Sequence, residues 1–313
     1  MGEVLTMVQK HYSGHISPSL SKAIITLALI FIGCQQSKND SLEALNYKNE
    51  MDAWHQKRVD RLLGPYGWVN VRGLFWLKEG INSFGSGKQN DIVFPEGKIA
   101  DKAGFFVLRD STVSMQVLPD EKVLSDNVPV NSLVIFKPDT TRPKVLQAGS
   151  LQWFVIKRSD KIGIRLRDLE TENLQSFKGI ERFDSDITWR INSKLTVQPG
   201  KKVEIANVLG QTYINPVKGT LSFTIDGEEY QLDAIDEDGK LFIIFGDETN
   251  DKTTYSAGRY LYASMPEGDV DVMLDFNQAI NPPCAFTEFA TCLLPPKQNI
   301  LHIEVSAGEK AYH

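Results

Sequence analysis

The sequence predicts a mainly β protein in which an N-terminal helix is followed by two antiparallel β units, the second a sandwich or a barrel. Three observations carry this. Beyond Trp68, apolar and polar residues alternate in run after run, the period of strands with one buried face. Before Gly64 a different, 3.6-residue period holds over one stretch. No strand–helix alternation and no glycine-rich phosphate loop is present, which argues against a nucleotide-binding parallel sheet and gives no ground for expecting a cofactor.

Lys22 precedes an apolar run from Ala23 to Ile32 and then Gly33-Cys34, the layout of a bacterial lipoprotein signal. The run is shorter than the roughly 20 apolar residues of a spanning helix. Residues 1–33 are therefore expected to be cleaved as a signal peptide, leaving Cys34 as the lipidated N-terminus. The protein is then expected in the bacterial cell envelope, held to the membrane through its lipid and facing outside the cytoplasm.

Residues 34–67 read as a tether and a helix. Asp40 to Glu43 has the pattern of a helix start, with Glu at the third position. Ala44, Tyr47, Met51, Trp54 and Leu62 recur near 3.6, which predicts a helix from about Ser41 to Leu63 stopped by Gly64-Pro65. His55, beside Trp54 and off the apolar stripe, reads as a surface or boundary histidine.

Residues 68–170 form the first β unit. Val113, Met115 and Val117 alternate, as do Leu151, Trp153 and Val155, then Ile162, Ile164 and Leu166, with Ser159-Asp160 as a hairpin turn. The polar, non-periodic stretch Asp168 to Asp186 reads as a seam. In residues 171–313, Ile187, Trp189 and Ile191 alternate, then Leu221, Phe223 and Ile225. Asp226-Gly227 supplies a type I′ turn into Tyr230 and Leu232. Strands are expected at Lys240 to Phe245, Gly258 to Ser264, Val270 to Phe276 and Asn299 to Ser306.

Lys and Arg number 34 against 40 Asp and Glu, a net charge of −6 that becomes one unit more negative once Lys10, Lys22 and Glu3 leave with the signal. With no clustered cations to set against it, this balance disfavours nucleic acid as a partner. Cys284 and Cys292 lie eight positions apart in a chain expected where disulfides persist, so a bridge between them is the default. Use of Cys284 as a nucleophile would need a base, and neither internal histidine, His55 or His302, stands in a catalytic motif.

Two resemblances add to this. GINSFGSGKQNDIVFPEG, with its Gly-Ser turn before Asn90-Asp91-Ile92, and AGSLQWFVIKRSDKIGIRLRD resemble the first strands and the closing hairpin of a forkhead-associated domain. That resemblance implies a β-sandwich. Ser86 stands where that family carries its phosphothreonine-binding arginine, and the Ser-x-x-His is missing. Phosphothreonine peptides are therefore not expected as partners, the guanidinium fork being absent.

DETNDKTTYSAGRYLY, LDFNQAINPPCAFTEFATCLLPP and the closing AGEK resemble the signature of a bacterial family catalogued as domain of unknown function 1684, and the likeness begins near WHQKRVDRLLGPYGWVNVRGLFWLKEG. That family has no established activity, so the resemblance implies a fold and a place to look without a substrate. Leu293 departs from the proline expected after the second cysteine.

The segment Asp275 to Pro296 holds two carboxylates, two asparagines, two cysteines and four prolines, and rigid loops on a sheet are where binding groups sit. Asp275 follows a strand whose apolar face is Val270, Val272, Leu274 and Phe276, so it either meets solvent or lines a cleft. Asp275 and Asn277 could equally cap the loop's own amides. Arg259 is the natural cationic partner of Asp275 or of a bound anion. Asp247, Thr249, Thr254, Tyr255 and Asn281 could add donors and acceptors around a small polar or anionic ligand. No calcium-loop pattern or zinc spacing is present, so no metal is expected. Three classes of function stay open: a binding or scaffold module, a hydrolase using Asp247, Asp275 or Glu288 carboxylates or Cys284, and a signature that serves packing alone.

Overall fold

The structure is a computed structural model that describes residues 18–266 and 271–312, with side chains described from Ser41 onward. Residues 1–17 of the expected signal, and the side chain of Cys34, lie outside the described residues. The chain divides into two compact units, Met1–Glu50 and Met51–His313. Helix α1 spans Pro18–Leu63. The helix start read at Asp40 is corrected: no proline interrupts residues 19–63, and Gln, Lys, Leu, Glu and Ala are good helix formers, so the helix continues through that position. It ends where expected, with the amide of Gly64 donating to the carbonyl of Asp60. Among the described residues no helix is long and apolar enough to cross a membrane.

The remainder is mainly β. Strands β1 (Val71–Trp76), β2 (Gly80–Gly85), β3 (Ile92–Val93), β4 (Gly104–Arg109) and β5 (Thr112–Val117) come first. The short β6 (Leu124–Ser125), β7 (Val128–Pro129), β8 (Ser132–Phe136) and β9 (Leu146–Ala148) lead to the long hairpin β10 (Leu151–Arg158) and β11 (Lys161–Asp168). They build two sheets, in the orders β1-β11-β10-β9-β6-β7 and β3-β2-β4-β5-β8. A common core joins the two sheets into a sandwich. Val113, Met115, Trp153, Ile164 and Leu166 are sealed inside, as their alternation predicts. Phe84 stacks on Phe106 at 4.4 Å and Trp153 meets Phe94 edge-on at 5.4 Å. Each such buried side chain contributes about 1.5–3 kcal/mol of transfer free energy.

A short helix, α2 (Glu172–Ser176), lies in the polar seam. The second β unit comprises β12 (Arg190–Thr196), β13 (Lys202–Ala206), β14 (Thr212–Pro216), β15 (Gly219–Ile225), β16 (Glu228–Glu237), β17 (Lys240–Phe245), β18 (Arg259–Ser264) and β19 (Asp271–Asp275). Six of these form a sheet in the order β18-β17-β16-β15-β12-β19, and its end strands β18 and β19 lie against each other, nearly closing a barrel. Leu221, Leu232, Ile243, Phe245, Leu274 and Phe276 fill it. Asp226 (φ 51°) and Gly227 (φ 87°) make the β15–β16 turn, the positive φ pair that a two-residue hairpin needs.

Two expected strands are corrected. Ile187–Trp189 is a 3₁₀ turn, because the Asp186 side chain accepts from the amide of Thr188 and winds the chain. Asn299 to Ser306 adopts no strand, although Leu301 and Val305 are buried on one face. It is an extended tail that bonds to a loop: the amide of Leu301 donates to Gly246 and that of Glu248 to Ile303.

Candidate functional site

Arg259 and Asp247 sit at the centre of the C-terminal signature, both with fully buried side chains. Gly258, at φ 82°, turns the chain into β18, and a Cβ there would lie 2.6 Å from the carbonyl of Phe245. The Nη2 of Arg259 donates to Asp247 Oδ2 at 2.8 Å and to the Val305 carbonyl at 2.9 Å; its Nη1 donates to the Ala307 carbonyl. Asp247 Oδ1 accepts from the amide and hydroxyl of Thr249 and from the amide of Val305. Thr254 completes the knot through the Thr249 hydroxyl. Burial lowers the Arg259 pKa and the Asp247 charge beside it opposes the shift. Tyr255 adds only its carbonyl, which accepts from Asn250, and burial raises its hydroxyl pKa. Arg259 was expected to pair with Asp275 or with a bound anion; its carboxylate partner is instead Asp247, because the loop after β17 carries Asp247 back under β18.

Asp275 is buried too, 9% exposed, and does not line the cleft described below. Its carboxylate accepts from the amide and side chain of Asn277 and from Gln278. Asn277 in turn pairs with the backbone of Asp186, accepting from its amide at 3.0 Å and donating to its carbonyl at 2.8 Å. Asn281 is sealed by the C-terminal tail: its amide donates to Glu309 at 2.6 Å and its side chain to the Lys310 carbonyl at 2.7 Å. Arg58 of α1 closes this knot, with Nε to Glu309 at 3.0 Å and Nη2 to the Asn281 carbonyl at 3.2 Å. Burial raises the Glu309 pKa, against the pull of Arg58 and the Asn281 amide.

Cys284 and Cys292 form a disulfide, with Cα atoms 6.0 Å apart. The loop they close reaches back to the first β unit. Thr291 accepts from Arg158 Nε at 3.0 Å, the Phe289 carbonyl accepts from Arg165, and Thr287 donates to the carbonyl of Val71. Glu288, in the same loop, is exposed. No group of three or more metal-ligating side chains occurs among the described residues.

Beside this loop opens a cleft of about 1100 Å³. Its walls come from the end of α1 (Trp54, Arg58, Arg61), the loop that follows (Tyr66, Trp68), the β10 end (Lys157, Arg158), strands β16 to β18 (Glu237, Asp238, Lys240, Phe242, Tyr260, Tyr262) and the signature loop (Asn281, Thr291, Cys292). Five basic side chains face two carboxylates there. Behind the lining stand two further cations. Arg165, 3% exposed, lies 5.0 Å from the Trp68 ring, and Arg167, 7% exposed, lies against Tyr66 and Phe154. No carboxylate pairs with either among the described residues, and the Nε of each has no acceptor. Burial, with Arg158 and Arg167 nearby, lowers the Arg165 pKa to about 10.

On the aromatic wall, Tyr262 stacks on Phe242 at 4.8 Å and Tyr260 meets the same ring edge-on at 5.0 Å. Tyr262 donates to Glu237 at 2.6 Å and Tyr260 to the Leu293 carbonyl at 2.9 Å. Burial pushes both phenol pKa values up, with the Glu237 charge adding to each, so both hydroxyls stay protonated. Of the residues singled out from sequence, Asn281 and Cys292 line the cleft. Arg259, Asp247, Asp275 and Asn277 are fasteners behind it. The cationic and aromatic walls are not marked in the sequence: Arg165 and Arg167 occupy the polar positions of the alternating strand β11, where solvent exposure is the ordinary expectation, and both are buried.

The family model described as a protein of unknown function, DUF1684, matches residues 175–310. An uncharacterized protein of Haloarcula marismortui, solved by solution NMR, is 32% identical over 44% of this chain and 80% of its own, with a TM-score of 0.38. A forkhead-associated domain studied for phosphothreonine-dependent interactions matches at 15% identity over 30% of this chain and 92% of its own, TM-score 0.22. The second such domain of a Mycobacterium tuberculosis ABC transporter matches at 16% over 28% and 77%, TM-score 0.22. No curated protein matches. Residues 175–310, the second β unit and its signature loop, are thus the part of the chain that matches the DUF1684 family.

Proposed function

We propose that the protein is a lipid-anchored module of the bacterial envelope that holds a small anionic ligand in this cleft and performs no chemistry on it. The observation that carries this is the surplus of cations: with Arg58 held by Glu309, Arg61, Lys157, Arg158 and Lys240 remain at the walls, and behind them lie buried Arg165 and Arg167 without a counter-ion. Burying a charge unpaired is costly, and an incoming anion would offset that cost. The groups that catalysis would require are otherwise engaged. Cys284 is bridged, Asp247 is committed to Arg259, and Asp275 caps its own loop. Among the described residues, the lining holds no histidine.

Titration calorimetry with inorganic phosphate and a panel of small organic acids tests the proposal. Saturable binding is expected that weakens with added salt and falls at least tenfold in Arg158→Ala. Absence of binding by every anion tried, or turnover of an ester or phosphate by the purified chain, would overturn it.

A further inference from the structure

We infer that the ligand of this cleft is a short acidic saccharide, its carboxylate or phosphate at the Arg158 end and its hydroxylated ring against Tyr262. This rests on the anion-binding proposal above and goes further in naming the ligand's body.

The two ends of the cleft differ in chemistry. At one, Arg158 is fixed through Nε to Thr291 at 3.0 Å and through Nη1 to the Lys157 carbonyl at 2.8 Å, so its Nη2 remains for a ligand. Buried Arg165 beside it adds positive charge without a counter-ion. At the other end Lys240 stands in register with Glu237 and Ser264, and the two carboxylates of Glu237 and Asp238 outweigh its charge. Tyr262, 37% exposed, has one face against Phe242, and Glu237 holds its hydroxyl at 2.6 Å.

The carboxylates at the aromatic end decide the ligand class. Glu237 and Asp238 are both exposed there. They would repel a polyanion, so negative charge on the ligand is confined to the Arg158 end. They accept hydrogen bonds, as do the Tyr262 and Ser264 hydroxyls, so the remainder of the ligand must donate several. A ring with hydroxyls on its edges and C–H groups on its face satisfies both demands, because an aromatic side chain offers an apolar face with a polar tip. At about 1100 Å³ the cleft lies just above the usual range for small-ligand sites, which suits two or three sugar rings better than one.

Ligand-observed NMR and calorimetry on the purified chain, with uronic-acid disaccharides, their neutral counterparts, inorganic phosphate and a nucleoside monophosphate, test the inference. The acidic disaccharide should bind at least tenfold tighter than either the neutral disaccharide or phosphate. Arg158→Ala should abolish its advantage over the neutral sugar. Tyr262→Ala should weaken the acidic disaccharide at least fivefold and leave phosphate binding unchanged, which a collapsed cleft could not do. If phosphate or the nucleotide binds as tightly as the acidic sugar, the ligand class falls while anion binding stands. If no anion binds, both fall.

Discussion

Arg259 donates to Asp247 at 2.8 Å with both side chains sealed from solvent, and the same guanidinium holds the carbonyls of Val305 and Ala307. One buried cation thus ties the loop after β17 to the C-terminal tail. Removing one partner of a buried pair leaves the other charged and unsolvated, which costs about 3–5 kcal/mol. Arg259→Met and Asp247→Ala are each expected to lose that much in urea unfolding. Arg259→Lys should recover little, since an ammonium cannot span the same three acceptors in one plane. A loss below about 1 kcal/mol in Arg259→Met would show that the knot is decorative.

Closing the loop between Cys284 and Cys292 restricts the unfolded chain, and for a loop this short the chain-entropy model gives about 2–3 kcal/mol. The double variant Cys284→Ser/Cys292→Ser should be less stable by that amount. It should also bind phosphate more weakly, because Thr291 and Phe289 in the loop hold Arg158 and Arg165. Equal affinity in the bridged and unbridged proteins would separate the loop from the site.

The fold was legible where burial alone determines structure. β17 was read to its ends because a run of apolar residues can only be a buried strand between its flanking turns, and Asp226-Gly227 announced its hairpin. The tail from Leu301 to Val305 shows the limit: alternation gave the buried face correctly, but the partner is a loop, and period carries no information about the partner. Ile187 and Trp189 alternate and yet wind, since one carboxylate at Asp186 outweighs two apolar side chains. β13 and β14 were missed despite Val203 and Ile205 being buried. For the candidate site, the signature loop supplies Asn281 and Cys292 to the cleft wall, while Arg259, Asp247, Asp275 and Asn277 are bonded within the fold. Arg58, Arg158 and Tyr262 meet from segments 100 or so residues apart, and only tertiary structure brings them together.

Glu309 gives the protein a predictable response to pH. Burial raises its folded pKa above the unfolded value, so the folded state binds the proton more tightly. The resulting stabilisation is fully present below the ordinary carboxylate pKa, about 4.3, and is lost as pH rises through the raised folded value. Glu309→Gln lacks this component. Urea unfolding from pH 4 upward should show wild type losing ground to Glu309→Gln as pH rises. The opposite trend would mean that Arg58 and the Asn281 amide outweigh burial.

Lipid attachment is proposed at Cys34 and is separable from everything in the β units. Cys34→Ala expressed in a bacterial host should move from the membrane fraction to the soluble envelope fraction, with its thermal unfolding midpoint unchanged. Unchanged membrane partition would remove the anchor.

Arg165 offers the sharpest test of whether the cleft was shaped for binding. It is 3% exposed, packs on Trp68, donates once to the Phe289 carbonyl and has no carboxylate partner among the described residues. A residue retained for stability alone would not be an unpaired cation at such a depth, because an apolar side chain of similar length fills the space without the desolvation cost. Arg165→Met keeps the volume and removes the charge. It is expected to raise stability by about 1 kcal/mol, the low end of what replacing buried charges with apolar residues returns, while weakening phosphate binding severalfold. Stability and affinity should therefore move in opposite directions in one variant. If Arg165→Met lowers stability and leaves phosphate affinity intact, the cation is a packing element, and the case for an anion in the cleft loses its buried support.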